Sequence, residues 1–113
     1  MLQKIERILK EFRKLDPEMP MQTALTLISV AQLQNKPDGV SIKELAEILG
    51  ISGAAASRNV SKLTKVGAKQ KAGLNLLESF EDPMFRVRKC VRITAHGQRI
   101  IDSLMEIVND HQR

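Results

Sequence analysis

The sequence has no tryptophan, no tyrosine and three phenylalanines. Stacking surfaces for single-stranded nucleic acid are built from aromatic rings, so this composition argues against such a function. One cysteine cannot close an internal disulfide, and no paired Cys/His spacing suggests zinc. The expected compartment is reducing and cytoplasmic. No apolar run approaches the ~18 residues that cross a bilayer. Residues 1–15 interleave charge with apolar positions, unlike a secretory signal. No Gly-rich phosphate loop follows a strand, and no paired carboxylates have catalytic company. Cys90 sits among arginines, where a small strand residue is a simpler reading than a nucleophile partnered by His96 or His111. Redox sensing through a thiol whose pKa is lowered by neighbouring arginines is the weaker alternative. The expectation is therefore a protein that is not an enzyme and needs no metal or cofactor.

What is present is a chain of 113 residues, 42% of them apolar, which is enough for one hydrophobic core and one domain, residues 1–113. The net charge is +5, and its distribution says more than its size. Residues 1–57 carry seven basic and seven acidic side chains. Residues 58–92 carry nine basic side chains (Arg58, Lys62, Lys65, Lys69, Lys71, Arg86, Arg88, Lys89 and Arg92) against three acidic ones (Glu78, Glu81 and Asp82). The whole excess lies in that stretch, and concentrated positive charge in a neutral frame suggests a polyanionic partner.

Leu2, Ile5, Ile8, Leu9, Phe12 and Leu15 recur at spacings of three and four, the stripe of an amphipathic helix. Pro17 and Pro20 end it. A second helix is expected over 22–34, with Leu25, Ile28 and Ala31 inward and Leu27 and Val30 as further candidates. Asn35 to Gly39 forms a turn, and Val40 a very short strand. Ser41 followed by Glu44 is a capping box. It opens a helix with Ile42, Leu45, Ala46 and Leu49 inward, stopped by Gly50. Ser52 then caps another helix, with Ala56, Val60 and Leu63 inward. Two short helices joined by Gly-Ile-Ser form a helix-turn-helix pattern.

The outward face of the second helix of that pair carries Gly53, Ala54, Ser57, Arg58, Ser61, Lys62 and Lys65. Its early residues are small, which allows close backbone approach. Ser57 suits a phosphate or a base edge, and Arg58 has the planar fork that fits guanine. Lys62 and Lys65 suit phosphates. An ordinary solvated helix carries similar residues, but the tight turn before this one favours DNA contact. From Gly73 the period becomes two. Leu74–Leu77 is a candidate strand, and residues 81–84 a turn. In 85–93, Phe85, Val87, Val91 and Ile93 alternate with Arg86, Arg88, Cys90 and Arg92, giving one packing face and one row of guanidiniums. Such a hairpin after a helix-turn-helix is a wing, and its arginines suit the minor groove. A charged edge ribbon that resists aggregation is the plainer alternative. Thr94 caps a last helix, in which Ile100, Ile101, Leu104, Met105, Ile107 and Val108 form a wide apolar stripe. The fold class expected is mainly α with a small β-hairpin wing: a winged helix-turn-helix with dimerisation helices at 1–16 and 97–112, a DNA-binding core at 22–96 and a wing at about 74–93. Leu2, Ile5, Leu9, Phe12, Ile101, Leu104, Ile107 and Val108 are the candidate dimer contacts.

Residues 40–46, Gly50-Ile51-Ser52, Ala56-Ser57-Arg58 to Leu63, Asp82-Pro83, Arg86 and Arg92-Ile93-Thr94-Ala95-His96-Gly97 resemble the multiple-antibiotic-resistance-regulator (MarR) family of winged-helix transcription factors. The resemblance implies a homodimer on a roughly palindromic duplex, with helix 52–66 in the major groove and the wing in the minor groove. It also implies that Asp82 steadies the wing arginine Arg86. The chain departs from the family in three ways. It is shorter, so the dimerisation helices are curtailed. The stretch from Leu63 to Asp82 is longer, leaving Gly67 or Gly73 to match the helix-ending glycine. Val87 replaces the second wing arginine. Family members often bind small phenolic ligands, but nothing in this sequence independently supports an effector pocket. A winged-helix module that binds protein within replication or transcription machinery is the alternative, and the basic stretch counts against it. A membrane-surface role is poorer still, because the basic residues are not arrayed on one long amphipathic helix.

Overall fold

The computed structural model describes residues 1–34, 39–64, 73–82, 84 and 88–110. Among the described residues, five helices and three strands follow in the order α1 (Leu2–Leu15), α2 (Met21–Gln32), β1 (Val40–Ser41), α3 (Ile42–Leu49), α4 (Gly53–Leu63), β2 (Leu77–Glu81), β3 (Lys89–Ile93) and α5 (Ala95–Val108). The strands form one antiparallel sheet in the order β1-β3-β2. The expected two-stranded hairpin is thus three-stranded, because Val40 and Ser41 pair with Val91 and Cys90.

Local chemistry sets most helix starts. The Ser41 hydroxyl accepts from the Glu44 N–H at 3.0 Å, and the Ser41 N–H donates to Glu44 Oε1 at 3.2 Å, so both halves of the capping box are closed. Ser52 accepts from the Ala55 N–H and Thr94 from the Gly97 N–H, each capping its helix. Gly50 takes φ 67° and ψ 34°, while the Ile51 N–H reaches back to the Ala46 carbonyl at 3.0 Å. That left-handed stop turns the chain between α3 and α4.

The core joins Leu27 and Val30 of α2, Leu45 of α3, Val60 and Leu63 of α4, Leu76, and Leu77 and Val91 of the sheet. Each fully buried leucine contributes about 1.5–3 kcal/mol by leaving water. On α2 the inward stripe is Thr23, Thr26, Leu27, Val30 and Ala31, whereas Leu25 is exposed, contrary to expectation. The two threonines can be buried because their hydroxyls are satisfied: Thr26 donates to the Gln22 carbonyl and Thr23 to Asn59 Oδ1. Gly97 lies where α5 crosses the sheet end, and a Cβ there would collide with the Leu76 carbonyl oxygen and the Ile93 side chain.

The terminal helices correct a second expectation. Phe12, Leu104 and Ile107, assigned above to a dimer surface, are buried within the chain, and Ile101 is half-buried against the same core. They are consumed because α1 and α5 pack on each other. The Lys4 ammonium donates to the Val108 carbonyl at 3.0 Å, and Arg7 pairs with Asp110 at 2.9 Å. Both cations sit near the negative end of the α5 dipole. Leu2, Ile5, Leu9 and Val108 remain exposed, Leu2 at 81% and Leu9 at 55%. Among the described residues no helix is long and apolar enough to cross a membrane.

Candidate nucleic-acid interface

Helix α4 presents two faces set by its sequence. Ala56, Asn59, Val60 and Leu63 are buried; Ser52, Gly53, Ala54, Ser57, Arg58 and Lys62 are exposed, with Ser61 half-buried. Small residues at the start leave the backbone open, and nothing stands within 4 Å of where a Gly53 Cβ would be. Among the described residues neither Arg58 nor Lys62 has an ion-pair partner. Lys65 lies outside the described residues.

The seat of α4 includes a polar contact that periodicity does not reveal. Thr23 Oγ1 donates to Asn59 Oδ1 at 2.8 Å, both side chains buried. A buried hydrogen bond has a preferred direction, so this pair restrains the rotation of α4 about its axis. An asparagine on the inward side of the helix wheel was the available signal. At its far end α4 is capped at Thr64; of the two glycine candidates, Gly73 lies beyond the helix, and Gly67 falls outside the described residues. The returning chain takes its last carbonyls. The Leu76 N–H donates to Leu63 O at 2.7 Å, and the Asn75 N–H donates to Thr64 O at 3.2 Å.

The wing starts later than expected. Leu74–Leu76 is not strand, because Asn75 adopts a left-handed φ of 57°; pairing runs from Leu77↔Ile93 to Glu81↔Lys89. The Asp82 carboxylate accepts from the Met84 N–H at 2.8 Å, and the Asp82 N–H donates to the Arg88 carbonyl at 2.9 Å. This Asx turn steers the chain out of β2. Asp82 Oδ2 also stands 3.8 Å from Arg88 Nη1. Its expected partner Arg86 lies outside the described residues, as do Phe85 and Val87.

The row of guanidiniums is altered in two ways. Cys90, expected among the exposed arginines, is buried. β3 is the central strand, so Cys90 is flanked on its own face by Ser41 and Phe80. The described arginines are also engaged. Arg88 Nη2 lies 3.3 Å from Glu44 Oε1, in addition to its contact with Asp82. Arg92 Nε lies 2.6 Å from Glu78 Oε1, and its guanidinium lies over the Phe80 ring at 4.4 Å. Ser57 of α4 and Arg88 and Lys89 of the wing line one groove of about 410 Å³ together with the first residues of α3. Ser57 on the helix face and the base of the wing therefore open onto a common groove.

A family model described as an HTH domain matches residues 28–74, from α2 through α4 to the approach to β2. No curated protein matches the sequence. Solved structures do match. The S. aureus MepR–DNA complex is 20% identical, with a TM-score of 0.72 over 96% of this chain and 76% of that one. S. aureus MepR bound to ethidium bromide is 16% identical, with a TM-score of 0.67 over 95% and 68%. MarR is 18% identical, with a TM-score of 0.60 over 92% and 72%. At these identities the likeness is one of fold, and by fold the chain is a MarR-like winged helix-turn-helix.

Proposed function

We propose that the protein is a sequence-specific double-stranded-DNA-binding transcription regulator, a repressor acting as a homodimer on a palindromic site. The observation that carries this reading is the shared groove, in which Ser57 of the exposed face of α4 meets Arg88 and Lys89 of the wing, while Arg58 and Lys62 on that helix have no ion-pair partner among the described residues. The likeness to MepR, solved in complex with DNA, supports it. Gly53 and Ala54 let α4 enter the major groove closely. Ser57 and Arg58 meet base edges, and Ser61, Lys62 and Lys65 meet phosphates. The wing, with Arg86 and Arg88 braced by Asp82, lies along the minor groove.

The dimer forms through the apolar residues that the chain itself leaves uncovered. Leu2, Ile5 and Leu9 on α1 and Val108 on α5 remain open after Phe12, Leu104 and Ile107 are buried. Residues 1–113 act as one domain in the cytoplasm, without metal, cofactor or membrane. A small-molecule effector is not part of the proposal. Selection of bound duplexes from a random pool tests site and symmetry together: an inverted repeat with half-sites about one helical turn apart is expected. Recovery of no preferred sequence removes the specificity, and sedimentation as a monomer at micromolar concentration removes the dimer.

A further inference from the structure

Resting on that DNA reading, we propose that the groove between α3, α4 and β3 seats one backbone phosphate of the duplex, gripped by Lys43 and Lys89. Three elements converge there: Ser41, Ile42 and Lys43 from the start of α3, Ser57 from α4, and Arg88 and Lys89 from the wing. The groove holds three cations, and they differ in what they already touch. Arg88 is braced between Glu44 and Asp82, so its charge is offset inside the protein. Glu44 is in turn fixed by the Ser41 capping box, which makes Arg88 a strut tying the wing to α3. Lys43 and Lys89 are exposed and have no ion-pair partner among the described residues. Lys89 stands opposite Glu81 in the β2–β3 register, but no ion pair joins them.

Lys43 is also misplaced for helix stability. It lies in the first turn of α3, where the helix dipole is positive and a cation is unfavourable. An anion seated in front of that turn reverses the sign, since the dipole and the ammonium then act together. The Ser57 hydroxyl on the opposite wall can donate to a phosphate oxygen. Because the groove borders α4, the seated phosphate would set how deeply that helix enters the major groove.

The test is the salt dependence of binding by the full chain. The probes are a fluorescent duplex of random sequence and the duplex selected above. Neutralising a phosphate contact lowers the slope of log K against log salt by about 0.9 per contact on B-DNA. K43Q and K89Q are each expected to lower it by about that amount on both duplexes. The ranking of sequences should not change, and the thermal unfolding midpoint of the free protein should stay the same for K89Q and rise slightly for K43Q, which removes a cation from the first turn of α3. K10Q on α1, away from the groove, is expected to leave the slope unchanged. Unchanged slopes for K43Q and K89Q, with binding still weakened by R58A, overturn the phosphate seat and leave the DNA reading standing. Absence of duplex binding by the parent chain overturns both. An altered sequence ranking for K43Q or K89Q overturns the assignment to phosphate. Inorganic phosphate is expected to stabilise the protein no more than chloride at equal ionic strength. Extra stabilisation that K43Q abolishes would assign the groove to a free anion instead.

Discussion

Helix α4 and the wing are both basic in sequence, and in the structure they hold their charge differently. On α4, Arg58 and Lys62 extend from an exposed face and, among the described residues, engage no carboxylate. In the wing, Arg88 is held by Glu44 and Asp82, and Arg92 by Glu78 and the face of Phe80. Partners of these wing residues were visible in the sequence as acids but not as neighbours, since Arg88 and Glu44 are 44 positions apart. A count of basic residues measures attraction to a polyanion at long range. The cations left unpaired after folding decide which side chains touch it.

The difference can be broken most severely at the seat of α4. Leu63 is fully buried, so Leu63→Ala is expected to cost about 2–5 kcal/mol in urea unfolding and to abolish duplex binding through loss of the fold. Thr23→Val removes the hydroxyl that satisfies Asn59, leaving a buried amide oxygen unpaired. A loss of about 1–3 kcal/mol in the same measurement is expected, and a neutral result would deny that this bond orients α4. Arg58→Ala is expected to leave stability within about 0.5 kcal/mol and to weaken the selected duplex by about 1–3 kcal/mol while relaxing its sequence preference. Equal losses on random and selected DNA would mean that Arg58 holds a phosphate and reads no base. Arg92→Ala is the smallest change. Its ion pair is half-exposed and worth about 0–1 kcal/mol of stability, and its duplex affinity should fall far less than that of Arg58→Ala. Equal losses from the two arginine variants in a binding titration would erase the distinction between helix and wing.

Each feature legible in the sequence has a short reach along the chain. Ser41 with Glu44, Gly50, Ser52 and Thr94 announce helix ends because a cap bonds an N–H two or three residues away, and a left-handed turn needs glycine locally. The outward face of α4 followed from its period in the same way. Period two misassigned Cys90, because the alternation rule supposes that one face of a ribbon meets water. β1 turned β3 into a central strand with neighbours on both sides. The apolar stripes of α1 and α5 were recognised as stripes, yet hydrophobic spacing does not say which surface will cover them.

Composition and local pattern alone determined that this chain forms a capped helix-turn-helix followed by an arginine-rich ribbon, since those features depend on contacts within a few residues. Tertiary structure decided that Phe12 and Leu104 pack inside the chain, that Thr23 meets Asn59, and that Arg88 and Arg92 are braced by carboxylates while Arg58 has no ion-pair partner among the described residues. Those outcomes turn on which distant surfaces close on one another, and burial and Coulomb attraction act through space rather than along the chain.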